Sequence, residues 1–320
     1  MKSTRNKTLI CSEEEISRLG ELLITPSNFV NKAILDKIIN GDFFESIKLI
    51  KDNSINLLVM DPPYNLTKDY NGEKFKKTSD DEYSLWFQKV IKELKPKLTK
   101  NATVYVCSDW KTSCLIEPIL SKNFLIQNRI TWEREKGRGC QNNWKNNTED
   151  IWFCTNTNDY YFNVNAVKLK KQVIAPYKDK DGKAKDWTET NGQAFRLTYP
   201  SNILTDITIP FWSMPENTKH PTQKPEKLIA KLVLASSKED DIILDPFLGS
   251  GTTAVVCKKL NRKFIGIEVN KEYACLGLKR LEIAETDNAI QGYEGGVFWE
   301  RNSKNNTKKR VKKTQQGKLL

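Results

Sequence analysis

One histidine, His220, stands in 320 residues, and that scarcity disfavours both a zinc site and a histidine-based catalytic triad. No metal is expected. The seven cysteines are odd in number and none is spaced C-x-x-C, a pattern of reduced thiols in a cytosolic (cytoplasmic) protein rather than of a disulfide framework. No apolar run approaches the ~20 residues that span a bilayer, so no membrane partner is expected. Met1-Lys2-Ser3-Thr4-Arg5 leads into polar residues instead of the apolar stretch of an export signal. The glycines never form G-x-G-x-x-G and no lysine completes a P-loop, which disfavours a nicotinamide cofactor or ATP.

What is present suits a large α/β domain carrying an insertion. Hydrophobic residues at 38% are enough for a sizeable core at this length. The net charge of +12 points toward a polyanionic partner. Residues 301–320, however, hold eight Lys or Arg and no acid, so most of the excess sits in a basic tail.

Ser12-Glu13-Glu14-Glu15 is a capping box, and it opens a helix with Ile16, Leu19, Leu22 and Leu23 at helical spacing. Phe29 to Ile39 reads as a second amphipathic helix or a helix running into a strand, making residues 1–37 an N-terminal helical segment outside the sheet. Ile38 to Asp42 is a strand ending in a turn, where Asp42 either faces a ligand or caps the segment 43–50. Asn65 to Thr78, polar and lysine-rich, reads as a mobile loop over a site. A second capping box, Ser79 to Glu82, opens a helix whose Tyr83, Phe87, Val90, Ile91 and Leu94 share one face. A buried strand at 102–107 completes a β-α-β unit, so it should run parallel to the strand before that helix. A helix near 112–120 and strands near 124–132 and 150–155 continue the sheet, and the first half spans 38–136. From 137 to 202 the periodicity weakens and lysines, aromatics, amides and turn formers mix. That stretch is either a solvated insertion or a surface that reads DNA. Regular pattern returns over 203–285, and residues 286–320 lose it again as a disordered basic tail.

Two stretches carry chemistry. Asp61-Pro62-Pro63-Tyr64 follows the buried strand Ile55 to Met60, and two prolines cannot continue a central ladder. Asp61 therefore stands at the strand's carboxyl end, the edge where open α/β sheets bind ligands. A carboxylate, an uncommitted carbonyl and an aromatic face suit a planar base with an exocyclic amine. Taken alone, the tetrapeptide is equally an ordinary strand-to-turn junction. The second stretch is a β-α-β unit over 241–268, with the turn Pro246-Phe247-Leu248-Gly249-Ser250-Gly251-Thr252-Thr253 after Asp245 and with Glu268 ending the next strand. Gly249 and Gly251 permit a sharp bend and close approach to a ligand, and Glu268 is placed to take two ribose hydroxyls. A nucleoside without a pyrophosphate fits, and S-adenosylmethionine is the candidate cofactor.

D-P-P-Y followed by D-P-F-L-G-S-G-T-T, joined through H-P-T-Q-K-P, strongly resembles the β class of DNA amino-methyltransferases over roughly residues 38 to 283. The resemblance implies a doubly wound, mostly parallel α/β sheet of the S-adenosylmethionine-dependent methyltransferase type. In it the motif order is permuted and a target-recognition region, here 137–202, is inserted. It implies that Asp61, Pro62, Pro63 and Tyr64 hold a flipped base with Asp42 beside it. Asp245, Phe247, Gly249, Ser250, Gly251 and Thr252 would line the cofactor with Glu268, closed over by His220, Thr222, Gln223 and Lys224. Candidate DNA contacts are Arg138, Gln141, Asn142, Asn143, Lys145, Lys170, Lys171 and Arg196. The implied reaction is methylation of adenine N6 in double-stranded DNA. A homodimer and a separately acting cognate restriction endonuclease are further candidate partners. N4 of cytosine is the alternative target, although Asp rather than Ser at position 61 leans toward adenine within the family. Cytosine-C5 chemistry would need a Pro-Cys nucleophile, and no Pro-Cys dipeptide occurs. RNA or protein-glutamine methyltransferases resemble Asn-Pro-Pro-Tyr and place the cofactor motif first. A non-catalytic DNA-binding module leaves the glycine turn and Glu268 without a role.

Overall fold

Apolar runs four to six residues long, bounded by turn formers, become the inner strands of the sheet in the computed structural model. It describes residues 5–29, 33–70, 73–134, 141–173, 177–183, 185–190 and 193–301. The strands are β1 (Lys37–Asn40), β2 (Ile55–Met60), β3 (Leu98–Ser108), β4 (Leu125–Glu133), β5 (Thr148–Thr155), β6 (Ile203–Leu204), β7 (Ile242–Asp245) and β8 (Lys263–Glu268). They stand in the order β1-β8-β7-β2-β3-β5-β4-β6. Every neighbouring pair is parallel except those of β5, which runs against both β3 and β4.

The helices are α1 (Glu13–Gly20), α2 (Phe43–Ser46), α3 (Asp80–Leu94), α4 (Trp110–Asn123), α5 (Glu226–Ser236), α6 (Thr252–Lys259) and α7 (Lys271–Ile283). Both expected capping boxes form: the Ser12 and Ser79 hydroxyls accept from the Glu15 and Glu82 N–H groups, and those glutamates accept in return. One face of the sheet buries Leu19 of α1 together with the apolar residues of α5 to α7. The other buries Phe43, Tyr83, Phe87, Val90 and Leu94 together with Ile116 and Leu120. Helices on both faces of a mostly parallel sheet make the doubly wound architecture.

The chain passes outward from β2 to β3 in its first half, then returns to lay β7 and β8 on the other side. β2 and β7 are direct neighbours, with Leu57 beside Ile243 and Leu58 beside Leu244. Asp61 and the turn after Asp245, nearly two hundred residues apart in sequence, thus leave the sheet side by side at the switch point. Ligands bind there in open α/β folds.

Three expectations are revised. No helix occupies the described residues between Phe29 and Ile39: Pro26–Asn28 is a single 3-10 turn, and Asp36, with φ +58°, interrupts the chain just before β1. The strand expected near 150–155 does continue the central sheet, as Thr148–Thr155, paired antiparallel with β3 and β4. Part of the expected tail is folded: Tyr293–Glu294 and Val297–Trp299 form a hairpin that joins Leu169–Gln172, Gln193–Thr198 and Thr188–Thr190 in a second, five-stranded sheet. Phe298, fully buried, anchors it, so the loss of pattern after 285 hid a short apolar strand. The loop expected over the site contains an antiparallel hairpin, Lys68–Tyr70 with Glu73–Phe75. Residues 302–320 of the tail lie outside the described residues. Among the described residues, no helix is long and apolar enough to cross a membrane.

Candidate active site

The carboxyl ends of β1, β2, β7 and β8 surround a cavity of about 550 Å³. Eleven of the sequence-derived candidates line it: Asp42, Asp61, Pro62, Pro63, Tyr64, His220, Thr222, Lys224, Phe247, Gly249 and Glu268. Its apolar wall combines Phe43, stacked on Phe247 at 5.5 Å, with Trp86, whose ring lies 6.0 Å from Phe247. This cavity has the size and the mixed lining of a cofactor site.

Asp61 is held on both oxygens. The Tyr64 hydroxyl donates to Oδ1 at 2.8 Å, and the Lys224 ammonium donates to Oδ2 at 2.6 Å. Lys224 Nζ also lies 3.3 Å from the Tyr64 hydroxyl. Burial works against the charge on Lys224, but Asp61 and Glu149 more than offset it and hold its pKa above the usual lysine range. Burial, reinforced by the Asp61 charge, pushes the Tyr64 phenol well up, so Tyr64 is a neutral donor. Tyr83 donates to the Pro63 carbonyl at 3.0 Å. Among the described residues nothing donates to the Pro62 carbonyl.

Glu268 accepts the Gly249 N–H on one oxygen at 2.7 Å and the Asn270 N–H on the other at 2.9 Å. Glu268 also lines the cavity. The carboxylate therefore shapes the glycine turn at the cavity wall. His220 forms part of the wall: its ring meets Tyr273 edge-on at 4.5 Å, and Nδ1 accepts the Thr222 N–H at 3.3 Å. Asp42 caps α2, accepting from Phe44 and Glu45, while it borders the cavity. The cap does not take Asp42 away from the cavity.

Other candidates sit behind the wall. Asp245, Gln223, Ser250 and Thr252 border a separate void of about 30 Å³. Burial pushes the Asp245 carboxyl up to about 7 despite hydrogen bonds from Thr253 and the Phe247 N–H. Gln223 folds its own segment, accepting from Thr218 and donating to the Glu216 carbonyl. Arg280 of α7 donates to the Ser250 carbonyl at 2.9 Å and to the Thr252 hydroxyl at 3.0 Å. Gly251 borders neither cavity. A Cβ there would lie 2.6 Å from Gly277 Cα, so this glycine is what lets α6 pack against α7. Among the described residues no side-chain cluster could hold a metal ion.

Of the candidate DNA contacts, Gln141, Asn142, Asn143 and Lys145 are exposed on the loop from β4 to β5, at the same edge of the sheet as the cavity. Trp144 among them is 93% exposed. Lys170 lies over the rings of Phe195 and Trp299 at 4.8 and 4.5 Å, and Arg196 pairs with Asp186 at 3.0 Å. Those two are engaged within the second sheet. Lys171, half-buried, pairs through its backbone with Arg196. Arg138 lies outside the described residues.

Glu149 was not among the expectations, and neither was Arg134. Because β5 runs against its neighbours, its first residues reach the edge where the parallel strands end. Glu149 thus lies 3.2 Å from Lys224, with Arg134 on its far side. Strand direction, which no local pattern reveals, is what hid it.

Residues 55–279 match a protein family described as DNA methylase. The chain is 34% identical over 263 residues to the DNA adenine methyltransferase YhdJ of Escherichia coli K12, covering 81% of this chain and 86% of that protein. It is 32% identical over 259 residues to the type II methyltransferase M.HpaI of Haemophilus parainfluenzae, with 77% and 74% covered. Among solved structures, the PvuII DNA methyltransferase (cytosine-N4-specific) superposes with a TM-score of 0.57 at 19% identity, over 80% of this chain and 88% of that one. At that identity the likeness is one of fold.

Proposed function

The chain belongs to the DNA methylase family, and on that premise we propose that it transfers a methyl group from S-adenosylmethionine to the N6 amine of an adenine turned out of duplex DNA. The observation that carries this reading is Asp61, fixed on both oxygens at the mouth of a cavity that Glu268 and Gly249 bound on the far side. The residues suit the cofactor: the void is large enough, one wall is aromatic, and the Glu268 carboxylate lines it where ribose hydroxyls would donate. Phe247, Gly249, His220 and Thr222 would enclose the remainder. When bound, the cofactor supplies an electrophilic methyl group on a sulfonium.

The chain's own part is to make a poor nucleophile competent. An aryl amine shares its lone pair with the ring. Asp61 and the Pro62 carbonyl accept its two N–H groups, which favours a pyramidal nitrogen and stabilises the positive charge that grows on it. Tyr64 stacks on the base, and Lys224 keeps Asp61 from rotating away. Holding amine and methyl in line contributes the rest. Turning the base out costs a few kcal/mol, which contacts in the pocket must offset.

Asp61 at the head of the tetrapeptide and the adenine specificity in the name of the Escherichia coli relative favour adenine over N4 of cytosine. Gln141, Asn142, Asn143 and Lys145 read the DNA in this proposal, since their loop is exposed at the catalytic edge. Several relatives are named type II methyltransferases, which supports a restriction endonuclease acting separately. A homodimer in the cytoplasm completes the reading, and sedimentation would check its size. The thiols of the described cysteines are free, as that compartment requires. The central test is incubation with labelled cofactor and mixed-sequence duplex DNA, followed by nucleoside analysis. N6-methyladenine should form, and Asp61→Ala should abolish it while cofactor and DNA still bind. Methylated cytosine in its place, or near-normal turnover by Asp61→Ala, would overturn the proposal.

A further inference from the structure

We infer that Glu149 and Arg134 are positioning residues for methyl transfer, acting on Asp61 through Lys224. The inference rests on the reading of Asp61 as the holder of the target amine. Four side chains stand in one line. Arg134, just past β4, pairs with Glu149 Oε1 at 2.5 Å. Glu149 Oε2 lies 3.2 Å from Lys224 Nζ, an ion pair whose angles fall short of a hydrogen bond. Lys224 Nζ then donates to Asp61 Oδ2 at 2.6 Å.

Lys224 and Glu149 are buried, with side-chain exposures of 8% and 5%. Two cations alternate with two carboxylates, so the line is neutral in sum, and each buried charge has a partner on either side or solvent at the end. That is the condition under which buried ions persist. A lysine facing Asp61 alone would be free to swing across the carboxylate and bridge both oxygens, competing with the amine. Glu149 draws Nζ from the opposite side and confines it to Oδ2. The Tyr64 hydroxyl, 2.8 Å from Oδ1, fixes the other oxygen, so the plane of the carboxylate is set. Arg134 in turn holds Glu149. Its backbone N–H donates to the Asn147 carbonyl at 2.7 Å and closes the root of the loop bearing Gln141 to Lys145. The candidate DNA-reading loop and Asp61 therefore share one ionic scaffold.

A merely structural Glu149 would neutralise Lys224 and do nothing more. Glu149→Gln keeps the shape and removes the charge, and single-turnover methyl transfer to mixed-sequence duplex DNA at saturating S-adenosylmethionine reads the effect. The rate should fall at least tenfold, with the dissociation constants of cofactor and DNA unchanged and part of the loss recovered in Glu149→Asp. Arg134→Gln, a half-exposed position, should show the same effect in smaller measure and serves if Glu149→Gln fails to fold. Acting through Lys224 also makes the losses non-additive: Glu149→Gln should add little to Lys224→Met, whereas independent roles would multiply. Unchanged rates in both Glu149→Gln and Arg134→Gln overturn the inference. So does a loss explained by weaker binding, and so do losses that multiply. Asp61→Ala, run in parallel, separates two failures. If it transfers at the wild-type rate, the reading of Asp61 has failed. If it is inactive while Glu149→Gln is unimpaired, only the positioning role has.

Discussion

Gly251→Ala separates two roles that a glycine turn beside a cofactor can have. Gly251 adopts φ +83°, and a Cβ there would stand 2.6 Å from the Cα of Gly277 on α7. The left-handed backbone costs alanine roughly 1–2 kcal/mol. Forcing a carbon against closely packed backbone adds about 1–3 kcal/mol. The sum, roughly 2–5 kcal/mol, is a large share of the ~5–15 kcal/mol that holds a domain folded. At about 2–4 °C per kcal/mol for a large domain, the melting temperature should drop by roughly 4–20 °C. Gly249→Ala shares the backbone penalty at φ +55°, but the atoms nearest its Cβ belong to the His220 imidazole, at 3.0 Å, on the cavity wall. A side chain can shift where backbone cannot. Gly249→Ala should therefore melt closer to the wild type and lose affinity for S-adenosylmethionine, because His220 moves into the space the ligand needs. Differential scanning fluorimetry and calorimetric titration measure the two quantities on the same preparations. If Gly251→Ala melts with the wild type and loses cofactor affinity instead, the assignment of Gly251 to helix packing is wrong.

Two further outcomes follow from the electrostatics of the site and from its exposed loop. Burial holds the Asp245 carboxyl up at about 7, above the ordinary 3.8, so the folded state binds this proton more tightly than the unfolded chain does. That contribution is complete below the unfolded value and is lost as pH rises through about 7. Asp245→Asn should therefore gain stability relative to the wild type between pH 4 and 8, by a few kcal/mol at about 1.4 kcal/mol per unit; parallel urea-unfolding curves across that range would reject the assignment. Gln141→Ala, Asn142→Ala or Asn143→Ala should relax discrimination at single base pairs by about 1–3 kcal/mol on a panel of duplexes. Lys145→Ala should weaken all duplexes alike and flatten the salt dependence. If none of the four changes the ranking of substrates or the salt slope, sequence reading lies elsewhere in the chain.

The parts of this site legible in the sequence are those in which a short segment dictates its own geometry. Pro62 and Pro63 force the chain out of the sheet whatever surrounds them, so Asp61 could be placed at a strand end from four letters. Ser12 and Ser79 cap their helices for the same local reason. Roles that depend on a distant partner could not be read so directly. Gly251 looks like a ligand-facing glycine until Gly277 appears opposite it. Val297 to Trp299 looks like the start of a tail until Leu169 and Lys170 supply a ladder. Lys224, in a segment expected to close over the cofactor, does border the cavity, but its ammonium is spent on Asp61. Glu149 depends on more still: the reversed direction of β5, the adjacency of β5 to β3, and a lysine from a separate segment. Each condition is one of topology. The permuted order of the two motifs brings this about: β2 and β3 are laid first and β7 and β8 return on the other side of β2, so the two motifs meet across the β2–β7 seam. Whatever couples them must cross that seam. Asp61 leaves the sheet from β2, and the turn beyond Asp245 leaves it from β7. Beyond the β2–β7 ladder itself, the Lys224–Asp61 pair makes such a crossing, binding the segment before α5 to the end of the strand that carries Asp61. A carboxylate so tied cannot turn without disturbing both sides of the seam.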